Sequence, residues 1–358
     1  MKRFFTALLI FCCISLFADA YNFIALGDIH FDGAKYHQAK SLTSGKQSER
    51  KRNNDMWANG KSDAVLTAAA AQAKSSKSVF VVQLGDFTQG DCDTAELQEQ
   101  MFSDAFTKVK SFFPEHKLLA VKGNHDVHVR GVKGYCNTPS EKVFMPLIAK
   151  ELGRENFSGS YTVRQGKDLF IFFDNFYKAK AGIDFVKKAL NDNKDARYVF
   201  FLTHIPVLPC SLSVPEWLVQ GDRIIADMLT KRNAIILTAH THYPSFMSVS
   251  DKNGTLSQLV VCSMGSQWAP QKSPYIKMKT FEDFKKASLN HKKTNPKRAG
   301  FFKKFETYTV NQFNFFSWHS GFVVIKVDDN GVFADVHTGN SGKPWTTITL
   351  LNNAKNGK

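Results

Sequence analysis

The chain has 358 residues, of which 43% are hydrophobic and 22% charged, and its formal net charge is +15. This length allows one large domain or two small ones, and a charge so far from zero favours acidic surfaces and polyanionic ligands without indicating a fold. No stretch after the first 20 residues is apolar and long enough to cross a bilayer, so we expect no transmembrane segment in the mature chain.

The amino terminus has the three parts of a secretory signal peptide. Lys2 and Arg3 precede an apolar stretch from Phe4 to Phe17, and Ala18-Asp19-Ala20 follows. This pattern predicts cleavage after Ala20, whereas a membrane anchor would need roughly 18 or more apolar residues. We therefore expect an exported protein, periplasmic, extracellular or lumenal, whose mature chain keeps 45 basic and 31 acidic residues and a charge of +14.

Strands and helices alternate over the first half of the mature chain. Apolar runs that indicate buried strands span residues 23–26, 79–82 and 118–121. The segment from Asn54 to Ala73, which lies between the first two runs, contains an Ala-rich helical stretch, and a helix with Thr94 as its N-cap separates the next two. This alternation predicts strands joined by crossover helices.

The second half of the chain predicts a further sheet. Residues 161–163 and 169–173 indicate a hairpin, and a helix is expected over 183–190. Apolar runs at 199–202 and 234–237 indicate two more buried strands, and the hairpin of 322–325 and 332–336 turns through Asp328-Asp329-Asn330-Gly331. We predict an α/β fold with two facing mixed sheets and helices outside, forming one catalytic domain over residues 21–358.

Five of the apolar runs are each followed by a polar motif. The motifs are Gly27-Asp28-Ile29-His30, Gly85-Asp86, Gly123-Asn124-His125-Asp126, Thr203-His204 and His240-Thr241-His242. Side chains at the carboxyl ends of strands converge in space although they lie far apart in sequence. The five motifs therefore predict one shared site.

The residue types in these motifs suit a pair of metal ions. A two-metal site needs a carboxylate that bridges both ions, and Asp86 is the natural bridge. Asp28 and His30 can bind one ion from one strand end, with His242 completing its shell. Asn124, His204 and His240 are the candidate ligands of the second ion. This mixture of oxygen and nitrogen donors, without thiolate, suits two transition-metal ions such as iron, zinc or manganese.

A two-metal site of this kind predicts chemistry on phosphate esters. Two ions that share a water lower its pKa, so that a bridging hydroxide can attack phosphorus, and their charge neutralises the oxygens of the transition state. We therefore expect a metal-dependent phosphoric ester hydrolase with a small-molecule or lipid phosphate ester as substrate.

The five motifs resemble the signature of the calcineurin-like metallophosphoesterase superfamily. The seven candidate ligands match the family's metal ligands one for one, over a region of about residues 22–268. The resemblance implies a four-layer α/β/β/α sandwich. It also implies that His125, which follows the ligand Asn124, protonates the leaving group or stabilises the charge that develops there.

The chain lacks the characteristic residues of two branches of the superfamily. Purple acid phosphatases carry a metal-binding Tyr three residues after the bridging Asp, where this chain has Gln89. Ser/Thr protein phosphatases show G-D-x-x-D-R-G, whereas this chain reads Gly85-Asp86-Phe87-Thr88-Gln89-Gly90-Asp91. The stretches 28–32 and 203–206 are more similar to the secreted branch that includes acid sphingomyelinase-like phosphodiesterases.

A basic insertion spans about residues 272–304. It contains eleven Lys or Arg residues against Glu282 and Asp283, interleaved with aromatic residues. One interpretation is a positive flap that attracts anionic substrate, lipid head groups or nucleic acid. The other, which we favour, is a solvated insertion whose aromatic rings pack beneath it. No recognisable nucleic-acid module accompanies it, so we expect no nucleic-acid partner.

Four cysteines remain after cleavage. An even number in an exported chain permits up to two disulfides, and we predict a pair between Cys92 and Cys136, which lie in loops after neighbouring strands. Cys262 lies in an apolar run and is expected to be buried packing, and Cys210 has no assigned partner. None of the four is needed for metal.

Other polar and aromatic residues near the motifs are weaker candidates. Asp126 can orient an imidazole or cap a turn, and we favour the structural role. Five more could contact substrate, although each has an ordinary packing explanation that we favour: Asp32, His128, Arg130, Tyr243 and Trp268.

The sequence leaves three functions open. A phosphomonoesterase and a phosphodiesterase acting on lipid head groups or nucleotides use the same metal centre, so the motifs do not separate them. The third alternative is a non-catalytic protein that binds metal or phosphate. The retention of all seven ligands and of His125 argues against that alternative.

Overall fold

Two β-sheets form the centre of the structure, a computed structural model that describes residues 20–37, 48–155, 157, 159–176, 178–212, 218–264, 275–290, 297–317 and 319–353. In the first sheet the strands lie in the order β14-β13-β12-β1-β2-β3, and in the second in the order β10-β11-β8-β9-β7-β6-β5-β4. The strands are β1 Tyr21–Leu26, β2 Phe80–Leu84, β3 Lys117–Val121, β4 Tyr161–Gln165, β5 Asp168–Phe173, β6 Val199–Thr203, β7 Ile235–Thr238, β8 Ser245–Asp251, β9 Gly254–Val260, β10 Ile276–Met278, β11 Thr309–Phe316, β12 Gly321–Asp328, β13 Gly331–Thr338 and β14 Thr346–Asn352.

Helices cover the outer faces of both sheets, so the predicted four-layer α/β/β/α sandwich is confirmed. Within the described residues they are α1 Ser48–Ala58, α2 Lys61–Ser75, α3 Ala95–Phe112, α4 Met145–Leu152, α5 Ala179–Asp192, α6 Asp222–Thr230, α7 Phe281–Asn290 and α8 Lys297–Lys304. Helices α2 and α4 pack on the first sheet, whereas α5, α6 and α7 pack on the second.

Both sheets are mixed, and each has a parallel centre. Strands β1, β2 and β3 run parallel in the first sheet, and β5, β6, β7 and β9 run parallel in the second. The carboxyl ends of the parallel strands in one sheet therefore meet at one edge, which is where ligand sites of such sheets lie.

The main core lies between the two sheets and is rich in phenylalanine. Phe23 of the first sheet packs edge-on against Phe170 and Phe200 of the second, with ring centroids 5.4 and 5.7 Å apart. All three side chains are fully buried. Since buried aromatic side chains contribute large apolar areas, this cluster holds the sheets face to face and fixes the relative position of their strand ends.

Most of the predicted elements are confirmed within one or two residues. Thr94 caps α3 by accepting a hydrogen bond from the backbone N–H of Leu97 at 3.2 Å. The Ala-rich helical stretch predicted within residues 54–73 is confirmed as α2, and a second helix, α1, precedes it. Gly60 separates them at φ +66°, a left-handed conformation that ends a helix.

The basic insertion packs through its aromatic rings, as the favoured interpretation expects. Phe284 and Phe302 are buried against β11, while lysines such as Lys279 and Lys286 are exposed. A groove of about 690 Å³ lies between α7, α8 and the outer face of the second sheet. Residues 272–274 and 291–296 of the insertion lie outside the described residues, and its role stays a prediction.

The predicted disulfide between Cys92 and Cys136 is wrong, because both residues are free thiols in the structure. Cys92 is fully buried with its sulfur 3.9 Å from the Met101 sulfur, whereas Cys136 is partly exposed. The two loops follow neighbouring strands, but their side chains point into different surroundings. Cys210 and Cys262 are buried, and neither forms a disulfide with another described residue.

None of the helices in the described part of the chain has a stretch apolar and long enough to span a membrane. The predicted signal peptide falls on residues 1–20, and all of these except Ala20 lie outside the described residues.

Candidate metal centre

The motif residues converge at the edge where the two sheets meet. Asp28, His30, Asp86 and Asn124 follow strands of the first sheet, and His204, His240 and His242 follow strands of the second. Ligand atoms come together in two groups that share one carboxylate, with atoms in each group within 4.8 Å of one another: Asp28, His30, Asp86 and His242 in the first, and Asp86, His204 and His240 in the second.

The first group places two imidazoles and two carboxylates around one point. The Nε2 atoms of His30 and His242 are 3.3 Å apart, and Oδ2 of Asp86 lies 3.8 Å from His30 Nε2. Asp28 uses Oδ1 to accept the backbone N–H of His240 at 3.0 Å. Its Oδ2 is buried and has no hydrogen-bond partner among the described residues.

The second group is built around His204. Its Nε2 lies 3.1 Å from His240 Nδ1, 3.1 Å from Asn124 Oδ1 and 3.2 Å from Asp86 Oδ2. The same carboxylate oxygen of Asp86 therefore faces both groups, which is the geometry that a bridging ligand needs.

These distances fit a pair of metal ions. Two nitrogens that each lie about 2.0–2.1 Å from one zinc ion are about 3.0–3.4 Å apart, which matches the nitrogen pairs in both groups. The unpartnered Oδ2 of Asp28 is a buried carboxylate oxygen, a group that needs a partner. The donor set of carboxylate, amide oxygen and imidazole suits zinc, iron or manganese.

Five of the candidate ligands have a left-handed backbone. Asp28, His30, Asp86, His240 and His242 have φ between +41° and +68°. Such φ values are uncommon for residues other than glycine and cost of order 1–3 kcal/mol each where they are strained. The surrounding fold therefore holds the ligand side chains in position before any ligand binds.

The glycines of the motifs allow the ligand loops to approach each other. A Cβ atom on Gly123 would lie 2.0 Å from the backbone nitrogen of Asp86 and 2.1 Å from its Oδ1, and one on Gly85 would lie 2.6 Å from the His204 ring. No side chain larger than hydrogen fits at these positions without moving the ligands.

Gly123→Ala is expected to lower both stability and metal content. The new methyl group must push Asp86 away, and overpacking of this kind costs about 1–3 kcal/mol. Chemical unfolding and metal analysis of the purified variant measure the two effects. Gly300→Ala is the matched control, because a Cβ there meets no atom within 4 Å and alanine favours a helix. A Gly123→Ala protein with normal stability and metal content would contradict the assignment.

Electrostatics make Asp86 an anion and His204 a cation in the absence of metal. Burial alone would raise the pKa of Asp86, but the His204 and His125 imidazoles outweigh it and hold the pKa well below its usual range. Burial opposes protonation of His204, yet Asp86 raises the pKa of His204 to about 9. The site thus favours positive charge, and a bound cation would replace the proton of His204.

Burial shifts the pKa of three other candidate ligands, His30, His240 and Asp28, towards the uncharged form. Burial lowers the pKa of His30 and of His240 well below the usual value for histidine, so both keep a lone pair for a metal. Burial also raises the pKa of Asp28, although the His242 and His204 imidazoles oppose this. A buried carboxyl and neutral imidazoles of this kind gain from a neighbouring cation.

His125 lies beside the first group with a fixed ring. Its ring is 4.7 Å from that of His30 and nearly perpendicular to it, and its backbone N–H donates to Asp86 Oδ1 at 2.8 Å. Its Nδ1 lies 2.7 Å from the carbonyl oxygen of Gln89. Since that contact is short, Nδ1 carries a proton and donates it, which leaves Nε2 as the nitrogen for chemistry.

Asp126 binds backbone groups rather than an imidazole. It accepts hydrogen bonds from the N–H groups of Phe87, Thr88 and Gly123 and from the Thr88 hydroxyl, at 2.8 to 3.1 Å. These bonds tie the loop of Asp86 to the loop of Asn124, in line with the structural role favoured from the sequence.

The weaker candidates have ordinary partners. Asp32 is buried against His37 at 2.7 Å, and Arg130 is exposed and pairs with Asp93 at 2.8 Å. The His128 ring lies 6.1 Å from that of Tyr135. Tyr243 stacks on Phe315, with Lys277 5.6 Å above its ring. Trp268 lies outside the described residues.

Helix α1 contributes residues that the sequence did not single out. Asn53 and Trp57 reach the loops that carry Gln89 and His30. Asn53 was missed because the sequence indicates a helix only within residues 54–73, and Gln89 is noted only as a departure from purple acid phosphatases. A signal is nevertheless present in the spacing of Arg50, Asn53 and Trp57, which puts them on one helical face.

Comparison with known proteins agrees with this architecture. The sequence matches the family of calcineurin-like phosphoesterases over residues 21–244. No curated protein sequence matches the chain significantly.

Solved structures with a similar fold include a dimetal phosphatase from Danio rerio, at 12% identity and a TM-score of 0.55, with 92% of this chain and 99% of that chain covered. GAP50, the anchor in the inner membrane complex of Plasmodium, is similar at 12% identity and a TM-score of 0.52 over 93% of this chain and 89% of its own. PhoD matches at 11% identity and a TM-score of 0.50, over 92% and 68%.

Proposed function

Because the chain belongs to the calcineurin-like phosphoesterase family and is therefore a metal-dependent phosphoester hydrolase, we propose that it is an exported enzyme that cleaves phosphate esters with two transition-metal ions. The observation that carries the proposal is the pair of ligand groups that share Asp86. Zinc, iron and manganese all fit the donor set.

Seven of the site residues would bind the metal ions, and His125 would transfer a proton. Asp28, His30 and His242 would hold one ion and Asn124, His204 and His240 the other, with Asp86 on both. When bound, two such ions activate water as the nucleophile and neutralise the charge on the phosphoryl oxygens. His125 is oriented by Gln89 through its Nδ1 proton. When the ring also carries a proton on Nε2, it can give that second proton to the departing oxygen and keep the one on Nδ1.

The open side of the centre is where the ester would enter. Asp28, His30, Asp86 and His204 are buried, whereas Asn124, His125, His240 and His242 are partly exposed. The proton donor thus lies on the same side as the accessible ligands. This arrangement supports attack on phosphorus from the metal side and departure of the alcohol towards His125.

Hydrolysis of aryl phosphates tests the proposal. Mature protein supplied with manganese, zinc or iron should hydrolyse p-nitrophenyl phosphate or its bis ester, and a chelator should abolish turnover. His125→Ala should lower kcat by about 10²–10⁴-fold, with a larger effect on phenyl phosphate, because phenol is a weaker acid than p-nitrophenol and leaves less readily without a proton. Metal-loaded protein that hydrolyses none of these esters would refute the function.

A phosphodiesterase is the second candidate. Lys277 lies over the ring of Tyr243, the residue that follows His242. A cation on this loop would attract a substrate that carries an anionic group beyond the scissile ester, such as a nucleotide or a lipid head group. Comparison of kcat/KM for the mono and bis esters separates the two activities, and a panel of nucleotides and phospholipid head groups extends it. A non-catalytic binding protein would show metal uptake without any turnover.

The amino-terminal sequence supports the proposal that the protein is exported. Lys2, Arg3 and the apolar stretch that follows have the pattern of a signal peptide, and β1 starts at Tyr21, directly after the predicted cleavage position. Amino-terminal sequencing of the mature protein tests this part of the proposal, because export with cleavage predicts Tyr21 as the first residue.

A further inference from the structure

One face of α1 is directed at the loops of the metal centre. Arg50, Asn53 and Trp57 are spaced i, i+3 and i+7 and therefore lie on the same side of the helix. Arg50 pairs with Asp91 at 2.7 Å, in the loop after Asp86. Each of these side chains reaches a segment that carries or follows a candidate ligand.

Asn53 and Trp57 make the two contacts closest to the site. The Asn53 amide donates a short hydrogen bond to Oε1 of Gln89, and Nε1 of Trp57 donates to the carbonyl oxygen of His30 at 3.0 Å. Asn53 is 1% exposed and Gln89 is 2% exposed. A buried amide pair of this kind is directional, and it is costly to break from one side.

Gln89 passes this contact on to His125. Its carbonyl oxygen accepts a hydrogen bond from His125 Nδ1 at 2.7 Å. Its side-chain nitrogen packs 3.2 Å from the same atom without a hydrogen bond, since both groups are donors. Its backbone N–H donates to the carbonyl oxygen of Phe31 at 2.9 Å. Gln89 is thus held by the β1 loop through its backbone and by α1 through its side chain.

We propose that Asn53 and Gln89 are positioning residues for His125, so that α1 sets the direction in which this imidazole presents its proton. The inference rests on the proposed catalytic role of His125. Asn53 and Gln89 are both uncharged, and they therefore orient the ring without placing a further negative charge beside Asp86 and the metal ligands.

Positioning predicts a specific kinetic signature. A proton donor that is misdirected by a fraction of an ångström loses transition-state contact while substrate binding to metal is retained. Asn53→Leu and Gln89→Met remove the amide contact at nearly constant volume. Both should lower kcat by about 10- to 100-fold, more for phenyl phosphate than for p-nitrophenyl phosphate, while KM and the metal content per chain stay within about twofold of the wild-type values.

A double-mutant cycle with His125→Ala distinguishes positioning from general support of the fold. If Asn53 acts through His125, Asn53→Leu should cause no further loss of kcat in the His125→Ala background. Lys51→Ala is the control on the same helix, because Lys51 is exposed and its ion pair is with Asp55, four residues later on the same helix. It should leave kcat unchanged in both backgrounds.

The possible outcomes decide between the proposals. The positioning role is wrong if Asn53→Leu lowers kcat equally in the wild-type and His125→Ala proteins. It is also wrong if neither Asn53→Leu nor Gln89→Met lowers kcat. Neither result would affect the proposed function. An unchanged kcat in His125→Ala itself would overturn the role of His125 and the inference together. If Asn53→Leu does not fold, Gln89→Met carries the same cycle.

Discussion

Asp86→Asn is expected to remove both metal ions and to reduce turnover by more than about 100-fold. Mutation of a residue that only orients a metal ligand already lowers metal affinity or activity by about 10- to 100-fold. One oxygen of Asp86 faces His204 at 3.2 Å and His30 at 3.8 Å. Loss of its charge therefore weakens both ligand groups at once. Metal analysis after dialysis and the rate of p-nitrophenyl phosphate hydrolysis measure the two effects.

Single-site variants give the contrast that this prediction needs. His204→Ala should lose one ion and keep the other, since His204 contacts Asp86, Asn124 and His240 but is not part of the first group. Asp55→Asn is the control, as its carboxylate is exposed on α1. If Asp86→Asn retains one ion with full occupancy, Asp86 is not shared between the groups.

Asp174→Leu is expected to destabilise the fold by about 3–5 kcal/mol, because it leaves the buried ammonium group of Lys122 without its counter-charge. Lys122 and Asp174 pair at 2.8 Å with side chains only 1% and 3% exposed. The pair joins the end of β3 in one sheet to the end of β5 in the other. Urea unfolding, followed by tryptophan fluorescence, measures the loss.

The double variant Lys122→Met with Asp174→Leu should recover most of this stability, since a buried ion pair replaced by apolar residues is often neutral or stabilising. Asp195→Ala serves as a control, because its pair with Arg164 is exposed and is worth at most about 1 kcal/mol. A small effect of Asp174→Leu alone would mean that Lys122 finds solvent or another partner. Asn137, which accepts from Lys122 at 2.8 Å, is the nearest candidate.

The fold was predictable because hydrophobic runs and turn signals are local. Buried strands such as β1 and β6 have continuous apolar sequences, and Thr94 marks the start of α3 by its capping chemistry. Helix α1 was not predicted because its sequence, SERKRNNDMWA, has few apolar residues and therefore no apolar periodicity. The disulfide between Cys92 and Cys136 was predicted wrongly because the nearness of two loops does not specify the direction of their side chains.

The positions of the motifs at strand ends predict which candidate ligands lie together. They do not predict the backbone conformation of the ligands or the residues that orient His125. The sequence placed Asp86 on both ions and divided the other ligands as the structure groups them, although their metal binding stays a prediction. The left-handed backbone at Asp28 and His240 depends on tertiary contacts, and aspartate and histidine give only a weak signal for it. The path from Asn53 through Gln89 to His125 joins three separate segments, so no local pattern shows it.

Because the candidate ligands are divided between the two sheets, the thermal stability of the protein should depend on the concentration of free metal. A cation held by Asp86 and His204 is bound only while the sheets are packed together, so its affinity adds to the folding free energy, by about 2.7 kcal/mol when free metal exceeds the dissociation constant a hundredfold. Calorimetric melting temperatures should then rise with added zinc or manganese. If the protein is exported as proposed, its lifetime against proteases would follow the trace-metal content of its surroundings.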